Sequence, residues 1–157
     1  MEYLYRGVNE ELFNKLNGKL SPKKMYQNFA AYAGAGDPHA LCGSGIECGE
    51  SDLNTVIFHQ WEQKGLPTSG VSSSPNIDRA RFYALDGGNA KKGHIFKLSI
   101  KELIKCGVSI YRVNDLVPIP AIPDDDEHIL VAKDFGQIPE LAIINVVVVG
   151  NNNQPKR

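Results

Sequence analysis

From residue 2 to residue 7 the side chains alternate, Tyr3 and Tyr5 on one face and Leu4 and Arg6 on the other, a period of two that predicts a β-strand. An arginine therefore shares a strand face with a leucine. Asn9 then suits an N-cap, Glu10 and Glu11 suit a first helical turn, and Leu12, Phe13 and Leu16 supply an apolar side before Gly18 ends the helix. A second helix is predicted from Ser51: Leu53, Val56, Ile57 and Trp61 recur at i, i+3, i+4 and i+8, and Gly65 and Pro67 stop it. His59 lies between Ile57 and Trp61 and reads as a partly buried structural histidine.

The pattern turns to short strands after residue 70. Residues 70–74 read as a strand, and Ser74-Pro75 opens a helix with proline at its favoured first position, running to Leu85. After the Asp86-Gly87-Gly88 turn, residues 94–98 alternate as a strand, and Ser99 with Glu102 forms a capping box for a helix closed by Gly107. Residues 109–113 are a further strand. Residues 117–126 are too proline-rich for a central strand, residues 127–132 form one, and residues 141–149 form the last. Helices come early and strands crowd the second half, which predicts an α+β domain over residues 1–150 rather than a wound βαβ sheet, with a polar tail at 151–157.

Charge and composition narrow the function classes. Seventeen Lys+Arg against eighteen Asp+Glu leave a net charge of −1, so neither an anionic membrane nor bulk duplex nucleic acid is an expected partner. The longest apolar run, 141–149, is broken by Asn145 and falls short of the ~20 residues of a membrane span. Met1 is followed by neither a basic nor an apolar stretch of a signal peptide. Cys42, Cys48 and Cys106 are few and odd in number, which fits a reducing, cytoplasmic compartment, reached by delivery into a target cell if the chain is exported. Cys42, Cys48, His39 and His59 lack the tight ligand pairs of a zinc site, and no metal is expected. The glycine-rich stretch 32–49 reads as a long loop, and Gly43-Ser44-Gly45 lacks the companions of a P-loop or Rossmann turn. The acidic run Asp124-Asp125-Asp126-Glu127 lacks the order of a calcium loop.

Three segments remain: Tyr5-Arg6-Gly7 near the N-terminus, Val71-Ser72-Ser73-Ser74 before a helix, and Asp125-Asp126-Glu127 before an apolar strand. In order and interval they resemble the three motifs of ADP-ribosyltransferases of the Arg-Ser-Glu class, the group of the cholera and pertussis toxin catalytic chains. The resemblance spans residues 3 to 149. It implies two small antiparallel sheets packed at an angle around an NAD cleft, and transfer of ADP-ribose from NAD to an acceptor with release of nicotinamide.

The same resemblance assigns roles. Glu127 would bond the nicotinamide-ribose 2′-OH and hold the oxocarbenium-like cation formed as nicotinamide leaves. Ser72 would orient Glu127 by a short hydrogen bond. Arg6 would offer its planar fork of donors to the dinucleotide, with Tyr5, Gly7, Ser73 and Ser74 beside it in the cofactor site. Asp125 stands where the family carries Glu or Gln to direct the acceptor, and is one methylene shorter than that Glu. The acceptor therefore stays open between a protein side chain such as arginine and a nucleic-acid base. The proline-rich approach 117–123 occupies the place of the family's acceptor-recognition turn. A small enzyme of this class is expected to act as a toxin or effector, with an immunity or antitoxin protein as a further partner. The rival readings are an NAD glycohydrolase and a non-catalytic interaction domain on the same fold. Glu140 is the alternative catalytic carboxylate.

Overall fold

The computed structural model describes residues 1–29, 40–41, 47–48, 55–56, 59, 68–118 and 120–151. The glycine-rich stretch apart from Ala40–Leu41 and Glu47–Cys48, the cap and apolar stripe expected from Ser51 to Trp61 apart from Val56, the stop at Gly65 and Pro67, and most of the tail lie outside the described residues, as do His39, Cys42 and the side chain of Cys48. Thr55, Val56 and His59 are helical.

β1 (Tyr3–Asn9) runs directly into α1 (Glu10–Lys15), and the turn between them is fixed as the sequence predicts: Asn9 Oδ1 accepts from the Leu12 N–H at 2.8 Å. β2 (Ala40–Leu41) and β3 (Glu47–Cys48) form a two-stranded pair. β4 (Val71–Ser73) leads to α2 (Ile77–Ala84). This helix starts later than Ser74-Pro75 suggests. The Ser74 hydroxyl is turned away to donate to the Asp125 carbonyl at 2.5 Å, so Asn76 becomes the cap, accepting from the Asp78 N–H at 3.0 Å. β5 (Lys92–Ser99), α3 (Ile100–Lys105), β6 (Ser109–Arg112), α4 (Val113–Leu116), β7 (His128–Val131) and β8 (Ile143–Gly150) complete the chain. Ser99 Oγ caps α3 by accepting from the Glu102 N–H at 3.3 Å.

The result is a small α+β protein with two antiparallel three-stranded sheets, ordered β1-β5-β8 and β4-β7-β6. Leu4 and Val8 of β1, Phe96 and Leu98 of β5, Val71 of β4 and Leu130 of β7 meet in one apolar cluster, so the sheets share a core. They also touch edge to edge at one bridge, where Tyr5 and Ser74 exchange backbone bonds of 2.7 and 2.9 Å. The second cluster, Phe29, Val56, Val113, Val117, Ile129 and Val131, backs the other face of β7. Thr55 ties that side down by donating to the Phe29 carbonyl at 2.6 Å.

On the far face of the first sheet, α2 lies unusually close. A Cβ on Gly7 would fall 1.8 Å from the Ala80 carbonyl oxygen, and one on Gly93 would fall 2.1 Å from that of Ala84. Two glycines facing two alanines let the helix backbone rest on the strands. No helix among the described residues is long and apolar enough to cross a membrane.

Candidate functional site

Alternation places Arg6 between Leu4 and Val8, both buried in the core between the sheets. Its guanidinium is carried inward with them. Burial pushes the Arg6 pKa below the ordinary arginine value, while the charge of Glu127, and less so Tyr83, acts the other way. Its Nε is buried and has no hydrogen-bond partner among the described residues.

The carboxylate beside it is braced. Ser72 pairs with Ile129 in the β4–β7 ladder, and Glu127 stands two residues before Ile129, so alternation sends both side chains to the same face. Ser72 Oγ donates to Glu127 Oε1 at 2.5 Å. His59 completes the arrangement, with Nε2 2.8 Å from Ser72 Oγ and 3.4 Å from Glu127 Oε1, and Nδ1 2.8 Å from Thr68 Oγ1. Thr68 Oγ1 in turn accepts from the Gly70 N–H at 3.2 Å.

The order of donors follows from the number of protons. The single Ser72 hydroxyl proton goes to Glu127, so the His59 contact requires an Nε2–H donor. With a neutral ring, Nδ1 accepts the Thr68 hydroxyl proton, and every donor in the chain points toward Glu127. This is the reverse of a nucleophilic serine, whose proton faces the histidine and whose acid sits behind the ring. Ser72 is an orienting group. Oε2 of Glu127 has no partner among the described residues and is the oxygen left for a ligand.

Arg6, Ser72, His59 and Glu127 line one cavity of about 740 Å³, within the range of small-molecule sites. Its wall also includes Tyr5, Gly7, Ser73, Ser74, Tyr83 and Asp125, and on another side Leu12, Lys15, Leu16, Ser21, Pro22 and Lys23. All eight residues named from the sequence therefore meet at one place.

Several also make contacts that the sequence does not announce. Asp125 is expected to direct the acceptor, but both its carboxylate oxygens are engaged: Oδ1 accepts from Arg79 Nε at 2.6 Å and Oδ2 from the Tyr83 hydroxyl. The hydrogen bond to Asp125 raises the Arg79 pKa above its ordinary value. The Tyr83 pKa is pushed up to about 12, by burial first and then by the bond to Asp125. Ser73 and Ser74 are buried and give their hydroxyl protons to the carbonyls of His128, at 2.8 Å, and Asp125, so they lock β4 to β7 where both line the cavity. Gly7 serves the close approach of α2, and Tyr5 packs beside Ala80, Ala84 and Ile95.

Three of the four acidic residues are bonded in place, since Asp126 also takes two bonds from Arg112, at 2.8 and 3.3 Å, while Asp124 is exposed. Glu140 is exposed and lies outside the cavity wall. Among the described residues no three His, Cys, Asp or Glu side chains converge as a metal set.

Sequence reasoning missed His59 and the Arg79–Tyr83 pair. Both carried a signal: His59 is i+3 from buried Val56 and i+4 from buried Thr55, and Arg79 and Tyr83 are i, i+4 on one face of α2. Neither protein-family models nor curated proteins include a match to this chain.

Proposed function

We propose that the chain is a mono-ADP-ribosyltransferase acting on NAD, with the fold of the Arg-Ser-Glu class. The carrying observation is a half-buried arginine whose Nε is buried and unpaired, in one cavity with a glutamate that Ser72 and His59 already fix through Oε1. A buried Nε–H missing a partner costs stability, so a purely structural strand would be better served by an apolar residue there. That weighs against the reading as a non-catalytic interaction domain.

The cavity fits the charge of the reaction. Arg6 bonds an oxygen of the dinucleotide, and Glu127 Oε2 faces the nicotinamide ribose. As the C1′–N bond breaks, nicotinamide leaves with the bonding electron pair and positive charge moves onto the ribose. A carboxylate already oriented by Ser72 stabilises that charge without reorganising. A nucleophile then attacks C1′ and releases its proton to solvent. The engagement of Asp125 by Arg79 and Tyr83 removes it as a partner for a guanidinium, which disfavours an arginine acceptor. The same engagement favours one second reading, NAD glycohydrolase, in which water is the nucleophile.

Release of nicotinamide from labelled NAD tests the reading. Wild type is expected to release it, and Glu127→Gln to do so at least about 10²-fold more slowly. No release by wild type, or release that survives the substitution, sinks the proposal. Label joined to a macromolecule marks transfer, and free ADP-ribose alone marks hydrolysis.

A further inference from the structure

The cavity wall formed by α1 and the segment after it has no part in the chemistry above, yet it is cationic. Lys15 and Lys23 line it, and Lys19 and Lys24 stand exposed beside them in sequence. None of the four lysines has an ion-pair partner among the described residues. In a chain of net charge −1, four unpaired lysines within ten positions are a local concentration of charge.

The segment is held rigidly. Leu20 is buried in the core and Pro22 is buried as well, while Ser21, Pro22 and Lys23 all line the cavity. Its backbone is pinned at three places, by Ile138 N–H to Leu20 at 2.8 Å, Lys24 N–H to Thr68 at 3.2 Å and Tyr26 N–H to Phe135 at 2.7 Å. Tyr26 stands at the end of the segment. It holds a left-handed backbone (φ 61°), an uncommon conformation for an aromatic residue, and its side chain is 70% exposed.

On the transferase reading of the same cavity, we propose that the acceptor is a single-stranded nucleic acid, its phosphates on Lys15, Lys19, Lys23 and Lys24 and a base stacked on Tyr26. Lysines followed by an exposed ring are what a single strand uses, since every base has a face to stack and every linkage a charge to neutralise. An acidic peptide would satisfy the lysines but has no use for the ring. A duplex would press its phosphates on a surface that is neutral overall, whereas one strand can follow a single segment to the cavity mouth and turn a nucleotide inward. There a hydroxyl or ring nitrogen of that nucleotide attacks C1′, the C1′–N bond to nicotinamide breaks, nicotinamide leaves with the electron pair, and the proton of the attacking group passes to solvent.

Anisotropy of short fluorescent single-stranded RNA and DNA oligonucleotides tests binding apart from chemistry. The triple variant Lys19→Glu/Lys24→Glu/Tyr26→Ala should bind at least tenfold more weakly and flatten the salt dependence, by about 0.7 in logarithmic slope for each phosphate that is no longer neutralised. The milder Lys19→Gln/Lys24→Gln should weaken binding less, which separates a docking effect from a folding one. With labelled NAD, wild type should label the oligonucleotide, and the triple variant should label it at least tenfold less. Equal binding by wild type and triple variant overturns the proposal, as does nicotinamide release with label found only in protein or in free ADP-ribose. If wild type releases no nicotinamide at all, the transferase reading fails instead, and the anisotropy arm still decides whether the segment is a nucleic-acid site.

Discussion

Two side chains give the stability of this fold opposite pH dependences, each through its own surroundings. His94 stacks on Phe13 with ring centroids 3.6 Å apart, and burial lowers its pKa, helped by Lys92 and opposed by Glu10. The unfolded chain therefore takes up that proton first, and the stability His94 provides above its ordinary value of 6.5 is lost as pH falls through the depressed folded value. Tyr83 acts at the other end. Its folded pKa is raised from 10.0 to about 12, so its contribution is complete below 10 and is lost as pH rises through about 12. Urea midpoints across pH should give a plateau that falls on both sides, and Tyr83→Phe should shorten the alkaline fall without altering the acid one. An unchanged alkaline limb would mean that the Tyr83–Asp125 bond is not formed in solution. The Tyr83 bond also shows what sequence can carry at this scale. Ser72 and Glu127 are 55 positions apart and are paired in the sequence only by the resemblance, while the partners that engage Asp125 lie 42 and 46 positions away on α2 and are not announced beside it. Residue type gives the chemistry a group can do, but competing neighbours decide which chemistry it does.

At the scale of elements, local signals fare better because their causes are local. The Asn9 cap needs only the residues that follow it, and the same holds for Ser99 with Glu102, so both ends are readable without knowing the fold. The start of α2 is not, because Ser74 is drawn off by a segment 51 positions later. The packing of α2 on β1 and β5 is equally hidden, since a glycine in a strand predicts a close approach but not what approaches. Substitution makes the contact measurable. Gly7→Ala and Gly93→Ala each drive a methyl group into a helix carbonyl and should cost at least about 2 kcal/mol, by lifting α2 from the sheet. Gly150→Ala, whose Cβ would sit 3.9 Å from the Lys91 carbonyl oxygen, should stay within about 0.5 kcal/mol. Equal urea midpoints for Gly7→Ala and Gly150→Ala would show that the helix does not rest on the strand.

The whole molecule places its site where the two sheets meet. Arg6 belongs to β1 of one sheet, Ser72 to β4 of the other, and the sheets join at the Tyr5–Ser74 bridge between them. A ligand that bonds Arg6 on one side and Glu127 on the other ties the sheets together, so its binding energy opposes their separation. Such a ligand stabilises the folded form by RT ln(1 + [L]/Kd), about 2.7 kcal/mol at a hundredfold excess over Kd. For a chain of 157 residues that is a rise in Tm of about 5–10 °C. NAD should therefore raise Tm in proportion to the logarithm of its concentration in the wild type and in Glu127→Gln, which keeps the shape of the site while blocking turnover. If the proposed reading holds, Arg6→Ala should lose most of the rise, because it removes the donor fork proposed to anchor the dinucleotide. It should also start from a Tm no lower than expected for the packing lost, since a buried Nε–H without a partner leaves with it. A Tm indifferent to NAD in wild type would reject the cavity as a dinucleotide site, and an equal rise in Arg6→Ala would place the dinucleotide away from the one guanidinium with a buried, unpaired Nε among the described residues.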